Sequence, residues 1–136
     1  MHQQTLFTDG SVTTVVMDSV SYVTEANRAD IIISGSHGGT SSAGYAIDVA
    51  AGAVFFNDAG CGKNNAGIQG LEQLQQHSII AAAVDHCTAE IANGADTYEN
   101  GIIAHVNTCA AQAGLARGMR VRDAVDLLRT RLAGAH

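Results

Sequence analysis

"DIIISGSHGGTSSAGYAIDVAAGAVFFND", residues 30–58, decides the fold. Two short apolar runs, 31–33 and 53–56, bracket a glycine-serine turn and a small-residue segment of helical character. Neither run alternates with polar residues, so each predicts a strand covered on both faces, as a parallel strand with a crossover helix must be. A third run, "IIAAAVDH" (79–86), repeats the pattern after "NAGIQGLEQLQQH" (65–77), where Ile68, Leu71, Leu74 and Gln75 fall on one side of a helix. Strands are expected near 31–35, 53–57 and 79–84, parallel and adjacent, with the first helix closed by Gly52.

Working outward, "TLFTDGSVTTVVMDS" (5–19) reads as a β-hairpin about Asp9-Gly10, a dipeptide in which both residues tolerate positive φ. "DSVSYVTEANRA" (18–29) can begin a helix at Asp18 or Ser19. Residues 88–114 read as largely helical, which would set His105 and Cys109 on one helix face with Ile102, the histidine packed. In "RVRDAVDLLRTRL" (120–132), Val121, Val125, Leu128 and Leu132 form the stripe of a packed helix. The whole chain, 1–136, is therefore expected to be a single α/β domain. It would be a small three-layer unit, a short parallel sheet flanked by helices with an N-terminal β-hairpin and C-terminal helices.

Charged residues make up 15% of the chain and apolar residues 46%, so little surface can be dressed in charge and a homo-oligomer is expected. Residues 1–116 carry two basic against eleven acidic side chains, and residues 117–136 five against two. Nucleic-acid binding needs a basic, aromatic-bearing face, and the one basic cluster (Arg117, Arg120, Arg122, Arg129, Arg131) falls on the last helix and its approach, so no nucleic-acid partner is expected. Neither a leader nor an apolar run of the ~20 residues that span a bilayer is visible, which points to a cytoplasmic protein with no membrane partner. Cys61, Cys87 and Cys109 are an odd number without CxxC spacing, which reads as reduced thiols and argues against a structural zinc site.

In an open parallel sheet the ligand sits beyond the carboxyl ends of the strands, and that edge collects the unusual residues. The first strand delivers Ser36, His37, Gly38, Gly39 and Thr40; the second Asn57, Asp58, Cys61 and Lys63; the third Asp85, His86 and Cys87. Glycine on both sides of the Ser36-His37 pair suits either a tight turn or the approach of backbone amides to an anion at a helix N-terminus. Lys63 is the only lysine and, with Arg28, one of two basic side chains before residue 117. It suits a substrate anion or a salt bridge to Asp58 or Asp85.

The leading expectation is an enzyme, a hydrolase or lyase of a small anionic metabolite. His37, Asp58, Asp85 and His86 are its catalytic candidates, with His37 as acid/base and Asp58 or Asp85 orienting it. Ser36, Gly38, Gly39, Thr40, Asn57 and Lys63 are its ligand-binding candidates, the Gly38 and Gly39 amides and Lys63 forming an anion clamp. The alternative is a non-catalytic nucleotide- or metabolite-binding or assembly subunit. A further alternative is a Cys/His-dependent hydrolase with Cys61 or Cys87 as nucleophile. No cofactor is expected and no metal ligand is assigned; binding by His37, Asp58, Asp85 and His86 is a minority reading without paired-ligand spacing. Residues 31–62, an apolar strand ending in His-Gly and another ending in Gly-Cys-Gly, resemble the motif order of caspase-like cysteine peptidases, which implies a His37/Cys61 geometry.

Overall fold

The computed structural model describes residues 3–133. Six strands form one sheet in sequential order. They are β1 (Gln4–Asp9), β2 (Val12–Met17), β3 (Ile31–His37), β4 (Ala53–Asn57), β5 (Ile80–Val84) and β6 (Ile103–Val106). The three expected strands run parallel and adjacent, and β2 joins them as a fourth, its Thr14–Met17 paired with Ile31–Ser34. β1 pairs antiparallel with β2 through the expected turn, where Gly10 takes φ +65°, and β6 pairs antiparallel with β5.

The unalternating runs are buried on both faces. Ile31, Ile33, Phe55, Ala82 and Val84 enter one core, while Ile32, Phe56, Ala81 and Ala83 enter the other. Helices α1 (Thr40–Asp48) and α2 (Gly70–Gln76), with Val20, cover the second face. Strands laid down in sequential order put these connections on one side, leaving the opposite face to the rest of the chain. Helices α3 (Gly94–Asn100), α4 (Thr108–Gln112) and α5 (Val121–Ala133) lie on that side. Val121, Val125 and Leu128 are fully buried there, as their stripe requires. Among the described residues no helix is long and apolar enough to cross a membrane.

Three local expectations are corrected. Residues 18–29 form two single 3-10 turns, Val20–Tyr22 and Glu25–Asn27, because Ser19 and Thr24 cap short turns and the β-branched residues between them do not propagate a helix. α1 ends at Asp48, with Ala50 at φ 54° as its left-handed terminator. Gly52 is instead required by a close approach, since a Cβ there would lie 2.5 Å from the Ala29 carbonyl oxygen. Residues 88–114 are not one helical stretch: β6 interrupts them, so His105 sits on a strand and Cys109 in α4. Pairing with β5 decides this, His105 lying opposite Ala83.

Candidate functional site

The sheet order never reverses, so no crevice opens between diverging strands of the kind that holds ligands in doubly wound folds. The polar cluster forms instead where β4 and β5 end and β6 returns beside them. Asn57, fully buried, ties the two loops together: its Nδ2 donates to the Ala89 carbonyl at 2.9 Å and its Oδ1 accepts from Ala59 N at 2.8 Å.

Asp58 follows at the end of β4, only 5% exposed, its N–H donating to the Val84 carbonyl at 2.9 Å. Its Oδ1 accepts from Gly60 N (2.8 Å) and His86 N (3.1 Å) and lies 3.2 Å from His86 Nδ1. A carboxylate only accepts, so the Nδ1 contact is a hydrogen bond when Nδ1 carries a proton, and in the neutral ring Nε2 then presents its lone pair. That Nε2 lies 3.5 Å from Cys87 Sγ on the exposed side of the loop.

The other carboxylate oxygen, Oδ2, lies 3.4 Å from His105 Nε2, and the same nitrogen lies 3.4 Å from Cys61 Sγ. His105 is the residue that sequence reasoning left out of the site. Its signal was "GIIAHVN", a β-branched run between glycine and a helix-capping asparagine, which reads as a short strand once separated from its helical flanks.

Cys61 is delivered by a loop of unusual backbone. Ala59, Gly60, Cys61 and Gly62 have φ between 52° and 71°, and Asn64 and Asn65 also have positive φ. Left-handed conformation costs a non-glycine residue about 1–2 kcal/mol, so the loop must be held from outside. Cys61 N donates to the Asp58 carbonyl (2.7 Å) and Gly67 N to the Cys61 carbonyl (2.9 Å). Gly67 has to be glycine, because a Cβ would collide with the Asp58 carbonyl oxygen.

The electrostatics are those of a crowded acidic site. A hydrogen bond from Cys87 N–H holds the Asp85 carboxyl below the usual carboxylate range against the effect of burial, and the charges of His86 and Arg117 add to this. Burial, then the charges of Asp58 and Asp85, push the Cys61 thiol up. Cys87 is also pushed up, chiefly by the Asp85 charge. Neither sulfur is a preformed thiolate.

The structure thus brings Asp58, Cys61, Asp85, His86 and Cys87 together and adds His105. The other candidates are placed differently. His37 is exposed and accepts from Gly39 N at 3.1 Å through Nδ1, and among the described residues it makes no ion pair. The histidine facing Cys61 is His105, not the His37 of the peptidase-like order. Gly38 N donates to the Asn57 carbonyl at 3.2 Å, so both amides assigned to an anion clamp already have acceptors within the chain. Ser36 Oγ accepts from Val20 N at 2.9 Å, and Thr40 is exposed at the first position of α1. Lys63 is exposed, opens a 3-10 turn and forms no ion pair among the described residues.

The loops of all three strands nevertheless meet. A Cβ on Gly39 would lie 3.1 Å from the Ala66 carbonyl oxygen, and one on Gly60 3.6 Å from the His86 ring. The Asp58–Gly67 loop therefore lies between the His37 turn and His86. A separate surface hollow lined by Asp9, Asp126, Arg129 and Thr130 holds neither a histidine nor a thiol. No family model, curated protein or solved structure matches this chain.

Proposed function

We propose that the protein is an enzyme acting on a small anionic metabolite by hydrolysis or elimination, with His86 as its acid/base. The observation that supports this most is the buried Asp58 carboxylate gripping His86 at both its backbone N and its ring Nδ1. Such a grip fixes the ring's orientation and leaves Nε2, beside Cys87 on the exposed side, to take a proton from water or substrate and return it to the leaving group. Lys63 on the adjoining loop and Arg117 near Asp85 are the cations available to a substrate anion.

A second reading rests on the Cys87 Sγ to His86 Nε2 contact of 3.5 Å. Sulfur and Asp58 contact different nitrogens of the same imidazole, the order of a nucleophile, its base and the orienting acid. Because Asp85 disfavours the thiolate, Cys87 would attack an acyl carbon as its proton passes to Nε2. That proton then leaves with the departing group, and water releases the acyl enzyme.

The test is turnover on a panel of small carboxylate esters, amides and lactones. His86→Ala is expected to lower kcat by ~10²-fold or more, the usual effect of deleting a proton-transfer group. Cys87→Ala has the same effect only under the second reading. Ligand-dependent thermal protection without product would instead identify a binding or assembly subunit.

A cytoplasmic homo-oligomer is part of the same proposal. Its supports are three free cysteines, the low charge content, and the exposed apolar side chains of Tyr22, Tyr45, Ile91 and Leu127.

A further inference from the structure

His105 Nε2 faces Asp58 Oδ2 and Cys61 Sγ at 3.4 Å each, and the three ligand atoms lie within 4.8 Å of one another. One ring nitrogen offers either one proton or one lone pair. As a donor it satisfies the carboxylate and leaves the thiol proton without an acceptor there; as an acceptor it takes the thiol proton and turns its lone pair beside the carboxylate. A cation at the centre satisfies all three.

We infer that Asp58, Cys61 and His105 form a binding site for a divalent cation of the zinc type. Three features support that chemistry. The mixed oxygen, sulfur and nitrogen donor set suits a borderline-soft ion. Metal distances of about 2.0–2.1 Å to nitrogen or oxygen and 2.3 Å to sulfur, at tetrahedral angles, put N···O at about 3.3 Å and N···S at about 3.6 Å. The structure has 3.4 Å for both, with all three atoms within 4.8 Å, so the two pairs that share the imidazole already stand near metal-bound spacing.

Charge agrees as well. On binding, the Cys61 S–H bond breaks, the proton passes to solvent, and the sulfur keeps the electron pair that forms the metal–sulfur bond. One thiolate and one carboxylate then balance a 2+ ion. Asp58 Oδ1, fixed by Gly60 and His86, supplies the outer contact that aims Oδ2 inward. Cys61 and His105 are partly exposed, which leaves a fourth position to solvent, as in zinc sites that act on substrates. This donor set shares only Asp58 with the His37, Asp58, Asp85 and His86 set considered from sequence.

The experiment is titration of metal-stripped protein with Co²⁺, followed by the thiolate-to-cobalt charge-transfer band, with Zn²⁺ as competitor and proton release measured in weak buffer. One Co²⁺ per chain, with the band displaced by Zn²⁺, is expected. Cys61→Ser should abolish the band and His105→Ala should weaken binding by more than the 10–100-fold typical of outer-shell changes, while Cys87→Ser and Cys109→Ser retain both. Far-ultraviolet circular dichroism checks folding, and His105→Gln replaces any variant that fails it. The absence of a thiolate band in the wild type, or its loss in Cys87→Ser but not Cys61→Ser, overturns the site. The readout is independent of turnover, so its failure leaves the acid/base proposal standing.

Discussion

Asp58 holds His86 by two hydrogen bonds to a single oxygen, from the backbone N at 3.1 Å and from Nδ1 at 3.2 Å. Asp58→Asn keeps an acceptor for the backbone donors but removes the charge that orients the ring. The variant is expected to remain folded, losing about 1–3 kcal/mol of stability, and to lose turnover by ~10²-fold or more. His37→Ala removes the acceptor of the Gly39 N–H, worth about 1 kcal/mol. It should keep at least ten times the turnover of His86→Ala; equal losses in steady-state assays would move the acid/base role to His37.

Asn57 bridges the β4 and β5 loops with both ends of its amide. Asn57→Ala strands the Ala89 carbonyl and the Ala59 N–H, and is expected to cost about 2–4 kcal/mol. Urea unfolding measures this directly. A cost below 1 kcal/mol would show that the two loops are held together by other contacts.

Arg129 on α5 reaches back to the hairpin, donating from Nε to Asp9 Oδ2 at 2.8 Å and from Nη2 to Oδ1 at 3.1 Å, with its guanidinium carbon 3.6 Å from the Phe7 ring centroid. The hydrogen bond from Arg129 sets the Asp9 carboxyl below its unfolded value of 3.8. A depressed folded pKa stabilises above the unfolded value and is lost as pH falls through the folded one. The urea midpoint of wild type should therefore exceed that of Asp9→Asn at neutral pH, and the gap should close on acidification below 3.8. A gap independent of pH would assign the contact's worth to packing on Phe7.

Static light scattering at micromolar concentration is expected to give a mass above one chain. A monomer would show that Tyr45, Ile91 and Leu127 are tolerated as isolated exposed apolar groups.

The parallel core was legible because burial on both faces leaves a plain trace: Ile31 to Ile33, Phe55 and Phe56, and Ala81 to Ala83 need no polar alternation. Five of the six clustered side chains were legible for the same reason, since a strand end fixes which residues emerge together. β6 was not. Its four residues, Ile103 to Val106, are too few to stand out between segments that read as helical, and pairing with β5 is what sets them apart. His105 was lost with that strand. The left-handed run from Ala59 to Gly62 was illegible too, because only its glycines announce positive φ.

Ala29, Ala50, Ala59 and Ala92 all sit at φ between 52° and 64°, and all are exposed. Each methyl crowds the following carbonyl at about 1–2 kcal/mol, while glycine adds back about 0.5–1 kcal/mol of freedom to the unfolded chain. Ala50→Gly, measured by urea unfolding, is therefore expected to be neutral to slightly stabilising. This chain can become sturdier by losing atoms, so evolutionary or laboratory selection for heat resistance has four easy steps open to it, and three of them, Ala29, Ala50 and Ala92, lie outside the clustered loop.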